Sequence, residues 1–331
     1  MDVFKIAYYL PEKILTNEDL AKEFPAWKAY DIEQKTGIYK RHCAAYEEIA
    51  SDCATKAAKK LFAEYNIDEK SVDFLIFVTQ SQDHASPTTA CLIQNRLNLK
   101  PQIGAFDINL GCTGFVYALS VAKGLLATND LNNVLILTSE TLTKYIHPRD
   151  KSARTIFGDA GAAVLVSKNH QIGRFEYGTD GSGSEVMIKR NGAFRFPFTK
   201  VRGVDYDDGY GSITNDDFFR MKGQDVFVFA AKTAPKLVKN ILLKNEMELE
   251  DIDLFIFHQA NGFLLEHLRK KIKIPKEKFF VYMREVGNTV SSTIPIAMKE
   301  AIRAGRIQKG TKVLIAAFGV GLSWGGTIIE I

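Results

Sequence analysis

Cys112 sits in the run Asp107-Ile108-Asn109-Leu110-Gly111-Cys112-Thr113-Gly114-Phe115, and roughly 145 residues later come His258-Gln259-Ala260-Asn261 and then Gly287-Asn288-Thr289. A thiol, an imidazole and a carboxamide are the groups needed for a sulfur nucleophile with two hydrogen-bonding partners. A strand-like run, Ile103 to Leu110, leads into Cys112, and a helix-like run, Phe115 to Ala127, leads away from it. The thiol is therefore expected at a helix N-terminus, where backbone N–H groups and the helix dipole favour a thiolate. Gly111 and Gly114 permit a tight strand-to-helix turn and close approach of a ligand. A cysteine in an apolar stretch is more often a packing residue, and Cys91, inside the helix-like Thr88 to Leu97, is read that way; Cys43 and Cys53 carry no sharper signal. His258 stands out because polar Gln259 and Asn261 follow an apolar strand. Asn288 has two readings, a cap for the helix that follows or a site residue. His42, His84, His147, His170 and His267 are read as structural or surface residues. Near the C-terminus, Ala316 to Gly326 is glycine-rich after a strand. It is either a hairpin turn or a source of backbone N–H groups for an oxyanion hole.

These residues must be brought together by the elements that carry them. Short β-branched runs alternate with amphipathic stretches, which predicts an α/β protein with layered sheets and helices. The chain also resembles itself: Val72 to Phe77 is echoed by Ile252 to Phe257, and Ala118 to Leu135 by Ala297 to Leu314, both about 180 residues apart. Two βα units at nearly one offset predict a duplicated domain with pseudo-two-fold symmetry: residues 1–170 carrying the nucleophile, and 171–331 carrying His258 and Asn288. Strand ends and helix starts of both halves then converge on one central face. Between them, about 189–223 is irregular and rich in Gly, Asp and aromatics (Phe194, Phe196, Phe198, Tyr206, Tyr210), as a functional cover would be.

Composition narrows the classes. The 331 residues are 46% apolar and carry a formal charge of only +4, too little to argue for nucleic acid but compatible with an acidic protein partner. The one basic run, Arg269-Lys270-Lys271-Ile272-Lys273, reads as a solvated helix face. Four cysteines, none in a Cys-x-x-Cys arrangement and none after Cys112, argue against a disulfide scaffold or a zinc site and for a reducing compartment. The start, Met1-Asp2-Val3-Phe4-Lys5, has no secretory pattern, and no run approaches the ~20 apolar residues of a membrane span. A cytoplasmic location is expected.

With these residues placed, the chain resembles the β-ketoacyl-acyl-carrier-protein synthase III family of thiolase-fold condensing enzymes. The likeness runs nearly end to end: Tyr9-Leu10-Pro11-Glu12, Thr36-Gly37-Ile38 with Arg41-His42, Ala105-Phe106-Asp107 into the Cys112 turn, Phe157 to Ala163, Asp180-Gly181-Ser182-Gly183, His258 to Asn261, Gly287-Asn288-Thr289 and Phe318 to Gly325. The resemblance implies a five-layered α-β-α-β-α fold of two pseudo-symmetric halves, a homodimer, and a Cys-His-Asn triad at Cys112, His258 and Asn288. Its chemistry is acylation of the cysteine by an acyl thioester, then decarboxylative condensation with malonyl-acyl carrier protein, with backbone N–H groups of Cys112 and Val320 as the oxyanion hole. Acyl carrier protein is the implied partner and acyl-CoA an alternative donor; no metal or other cofactor is needed. Two other activities stay open: acyl transfer from Cys112 to an oxygen or nitrogen acceptor, and an inactive partner subunit or acyl-binding protein. Thiolases need a second catalytic cysteine, absent after Cys112. A hydroxymethylglutaryl-CoA synthase needs a glutamate where this chain has Val78-Thr79-Gln80-Ser81.

Departures from the family pattern bear on substrate. The tryptophan that stacks on the CoA adenine falls at Asp31, the arginine after it at Lys35, and the arginine two places after His258 to Asn261 at Phe263. Lys151 and Arg154 remain near a phosphate-contacting position, and Asn261 and Phe263 are expected at the substrate mouth. The weakened nucleotide clamp favours an acyl-carrier-protein donor. Ser86, before Pro87, replaces the bulky phenylalanine with which a partner subunit closes the acyl pocket, so a longer or branched chain is expected. Val320 replaces the middle glycine of a triplet, and Gly111 a common alanine. These changes suggest a specialised synthase rather than the housekeeping initiator of fatty-acid synthesis.

Overall fold

The computed structural model describes residues 4–128, 130–209 and 211–331, so Met1, Asp2, Val3, Asn129 and the loop aromatic Tyr210 lie outside it. In the first half, strands β1 (Lys5–Tyr9), β2 (Phe74–Val78), β3 (Gly104–Ile108), β4 (Asn133–Glu140) and β5 (Ala160–Ser167) form a sheet in the order β1-β5-β4-β2-β3. β2, β3 and β4 run parallel, and β5 is antiparallel to both β4 and β1. In the second half, β6 (Gln171–Ile172), β7 (Glu176–Thr179), β8 (Leu254–Phe257), β9 (Lys312–Gly319) and β10 (Ser323–Glu330) make the other sheet. β8 and β9 are parallel, β10 is antiparallel to β9, and β6 and β7 both pair with β10. A single parallel bridge, Phe255 to Phe279, stands at the edge where the first sheet has β3.

The strand sequences explain their depth. Phe-Leu-Ile-Phe-Val in β2 and Leu-Phe-Ile-Phe in β8 are apolar on both faces because both faces are covered. Helices α1 (Ala50–Tyr65) and α2 (Thr89–Arg96) pack on the outer face of the first sheet. Helices α4 (Gly223–Lys244) and α5 (Gly262–Ile272) pack on the outer face of the second. Between the sheets lie α3 (Gly114–Thr128) and α6 (Thr293–Arg303), whose side chains join those of both sheets in one core. Held between two sheets, α3 is apolar nearly all round, and only a strip with Val121 and Gly124 and its C-terminal end are exposed. The layers therefore run α-β-α-β-α, the thiolase fold.

Two expectations need amending. Cys91 is exposed, because α2 buries the face of Thr89, Ala90 and Ile93. The segment 189–223 is not wholly irregular. Met187–Lys189 pairs antiparallel with Phe219–Met221, and Tyr206–Asp207 with Ile213–Thr214. Strands of two or three residues are too short for an alternating pattern to reveal them, and polar bonds hold them, such as Asn191 Nδ2 to Asp217 Oδ1 at 2.8 Å.

Candidate active site

Cys112 lies in the turn between β3 and α3, closed by the Gly114 N–H donating to Gly111 O at 2.9 Å. Its neighbours are small by necessity. A Cβ on Gly319, at the end of β9, would fall 2.5 Å from Cys112 Cβ and 2.7 Å from its Sγ. Thr113 Oγ1 and Ser323 Oγ, 2.8 Å apart, tie this turn to the start of β10. The place at a helix start is as expected, but the thiolate is not the resting form. Burial pushes the Cys112 thiol up to about 12, and the opposing pull of the Val320 and Cys112 backbone N–H groups is smaller. Desolvation by the cavity walls outweighs the helix dipole, whose effect is at most ~2 kcal/mol. The same two N–H groups point at the sulfur, where a developing oxyanion would find them. Val320 is not among the residues with positive φ.

His258 follows β8, and its backbone N–H donates to Ala316 O at 2.8 Å. Its Nδ1 is 2.7 Å from Thr293 Oγ1, and that hydroxyl donates to Val290 O at 2.9 Å. The single hydroxyl proton is thus committed, so Nδ1 must carry the hydrogen that it shares with Thr293. This network assigns the tautomer and leaves the Nε2 lone pair unused. Burial lowers the pKa of His258 to about 3, against a smaller opposite effect of the Val290 carbonyl, so the ring rests neutral. Asn288 is not the cap of the helix that follows: Thr289 and Ser292 stand at the starts of Val290–Ser292 and α6, and neither side chain caps. Asn288 Oδ1 accepts the Val290 N–H at 2.9 Å, while Nδ2 donates weakly to Ala260 O at 3.3 Å. The second Nδ2 hydrogen remains for a ligand. Val290 itself has φ 54°, a left-handed conformation that a β-branched residue adopts only under constraint.

Cys112, His258, Asn288, Val320, Asn261 and Phe263 all line one cavity of about 610 Å³. Its inner wall includes Leu142, Phe157, Met187, Phe219 and Met221, so the paired ends of segment 189–223 are part of the site. At the mouth Phe263, 65% exposed, stacks on Phe227 with centroids 5.5 Å apart. Asn261 Oδ1 caps α5 by accepting the Leu264 N–H at 2.9 Å. Lys35, where the family arginine is missing, lines the cavity, whereas Lys151, Arg154 and Ser86 do not. Arg154 is paired with Glu23, and both cations stand over the Phe24 ring, at 5.8 Å for Lys151 and 5.6 Å for Arg154. Ser86 is exposed. Sequence reasoning missed Gln80 and Glu140, which also line the cavity. Their only signal was a polar residue at the end of an apolar strand. Among the described residues no cluster of His, Cys, Asp or Glu has the geometry to hold a metal ion, and no helix is long and apolar enough to cross a membrane.

A five-layered thiolase fold with a cysteine at the central turn belongs to the acyl-transferring condensing enzymes. Models of 3-oxoacyl-[acyl-carrier-protein] synthase III match residues 106–181, and its C-terminal region residues 242–331. A β-ketoacyl-[acyl-carrier-protein] synthase III of Campylobacter concisus is 38% identical over 99% of this chain and 96% of its own. One from Fusobacterium nucleatum is 34% identical over 98% and 97%. A crystal structure of a 3-oxoacyl-(acyl-carrier-protein) synthase III superposes with TM-score 0.97 at 43% identity, covering 98% of each chain. That of Aquifex aeolicus does so with 0.85 at 32% identity, over 99% of this chain and all of the other. The chain belongs to the 3-oxoacyl-[acyl-carrier-protein] synthase III family.

Proposed function

We propose that this enzyme loads an acyl group from a thioester onto Cys112 and condenses it with malonyl-acyl carrier protein. The observation that carries the reading is the convergence of Cys112, His258 and Asn288 on one apolar cavity beside the Val320 N–H. In the first step His258 Nε2 takes the thiol proton as sulfur attacks the thioester carbon. The tetrahedral oxyanion rests on the N–H groups of Cys112 and Val320, and the departing thiolate takes the proton back. In the second step Asn288 Nδ2 donates to the malonyl thioester oxygen, and a proton gained at His258 Nε2 makes that atom a second donor. The carboxylate leaves as CO2, the enolate carbon attacks the acyl carbon, and the C–S bond to Cys112 breaks. The sulfur then regains a proton, so the overall reaction takes one from solvent.

Neither step needs a metal or redox cofactor. The acyl donor rides on acyl carrier protein or on CoA; the loss of the nucleotide-clamping residues at Asp31 and Phe263 supports the former. Residues 1–170 and 171–331 act as the halves of a duplicated domain, and the working form is a homodimer in a cytoplasmic setting. Lys151 and Arg154 contact carrier phosphate only if the Arg154 pair with Glu23 opens. Mass of the intact protein after incubation with acyl donors tests the reading. Cys112→Ala abolishes the acyl mass, whereas Asn288→Ala keeps it and loses CO2 release from the malonyl thioester. Full condensation in Asn288→Ala would sink the role assigned to Asn288, whereas a wild type that gains the acyl mass but releases no CO2 would favour transfer to an oxygen or nitrogen acceptor.

A further inference from the structure

Gln80 follows β2, and its side-chain Oε1 lies 2.5 Å from where a Cβ on Gly111 would be. The carboxamide therefore rests against the residue that precedes the nucleophile, in space that only glycine leaves open. That amide has no hydrogen-bond partner among the described residues, although Gln80 lines the cavity. Its backbone is fixed: the Gln80 N–H donates to Glu140 Oε1 at 2.9 Å, and Ser81 Oγ donates to Glu140 Oε2 at 2.6 Å. Glu140, 1% exposed, lines the same cavity. Burial raises its pKa to about 8, so at neutral pH the carboxyl mostly keeps its proton and sets little charge beside Cys112.

The rest of this end of the cavity is apolar, with Leu142, Phe157, Phe219, Met221 and Val290. An unsubstituted acyl chain laid along it would cover an amide that has both a donor and an acceptor unused. Leaving such a group desolvated and unpaired costs ~1–3 kcal/mol. An acyl group with its own hydroxyl near the thioester would pair with the amide instead. Because Gln80 abuts Gly111, the position it reaches is among the first carbons of a chain attached to Cys112.

We infer that the carboxamide of Gln80, seated against Gly111 on a backbone held by Glu140, selects acyl groups that carry a hydroxyl close to the thioester, the class of 3-hydroxyacyl thioesters, over unsubstituted chains. The inference rests on the reading of Cys112 as the acylated residue. The test compares the rate at which the full-length enzyme gains mass at Cys112 from 3-hydroxybutyryl-CoA and from butyryl-CoA, and from the same pair on acyl carrier protein. The wild type favours the hydroxylated donor by about tenfold, the worth of one satisfied buried hydrogen bond. Gln80→Met keeps the volume, removes the amide and lowers that ratio to about one, with an unchanged melting temperature reporting an intact fold. Gly111→Ala, whose new Cβ displaces the amide, lowers the ratio in the same direction. Equal rates in the wild type, or an unchanged ratio in Gln80→Met, would overturn the inference while leaving the acylation of Cys112 standing. No acyl mass from any donor would overturn both.

Discussion

The tautomer of His258 depends on one hydroxyl, and Thr293→Val removes it with little change in shape. In the native site Thr293 Oγ1 takes the Nδ1 hydrogen at 2.7 Å and passes its own to Val290 O at 2.9 Å. With valine, the ring N–H is buried without that acceptor, and the tautomer with hydrogen on Nε2 no longer competes against a satisfied one. An unsatisfied buried donor costs ~1–3 kcal/mol, and the Val290 carbonyl can recover part of it, so a net loss of about 1–2 kcal/mol is expected. Since 1.4 kcal/mol is tenfold, acylation of Cys112 slows by roughly five- to thirtyfold. Rapid-quench intact mass gives the acylation rate, and the histidine nitrogen resonances give the tautomer. Thr293→Ser keeps the hydroxyl and should stay within about threefold of the wild type. An unchanged rate in Thr293→Val, or an equal loss in Thr293→Ser, would refute the assignment of Nε2 as the base.

Three further outcomes are expected. Gly319→Ala places a Cβ 2.7 Å from the sulfur, so overpacking of ~1–3 kcal/mol should slow acylation about five- to hundredfold; a wild-type rate by intact mass would show that the turn yields. Burial holds the Glu140 pKa at about 8 in the folded protein, so the folded state keeps a proton that the unfolded chain releases in the ordinary carboxylate range. The stability this gives is complete at low pH and is lost as pH rises through about 8; the melting temperature of Glu140→Gln should therefore fall less steeply between pH 5 and 9, and an identical slope would count against it. Ser86→Phe should slow loading of long or branched donors far more than of acetyl donors if a partner subunit brings this residue to the acyl pocket as proposed, and equal slowing of all donors would remove Ser86 from that pocket.

Much of this was legible in the chain. The echo of Val72–Phe77 in Ile252–Phe257 gives the place of β2 and β8, and the apolar runs give central strands because parallel strands covered on both faces cannot alternate. Cys112 and His258 stood out because each breaks an apolar strand at its end. What stayed hidden depends on distant partners. The resting thiol could not be read from the turn, since its desolvation comes from walls contributed by β4, β9 and the 187–221 ribbon. Arg154 looked free for phosphate because nothing local shows that Glu23 lies opposite it. Gln80 gained meaning only once the missing Cβ of Gly111 was seen to make room for its amide.

The division of the site between two sheets also has a consequence in time. Cys112 and its turn leave the ribosome with the first sheet, but His258, Asn288, Gly319 and the Val320 N–H come from the last quarter of the chain. At ~5–20 residues per second, roughly 10 to 40 s separate synthesis of the nucleophile from that of Val320. Throughout that interval the thiol lacks both the imidazole proposed as its base and the N–H proposed as its oxyanion donor. A nascent or truncated chain can thus carry the sulfur without the groups proposed to use it, and on the proposed mechanism thioester chemistry begins only when β9 closes against the first half.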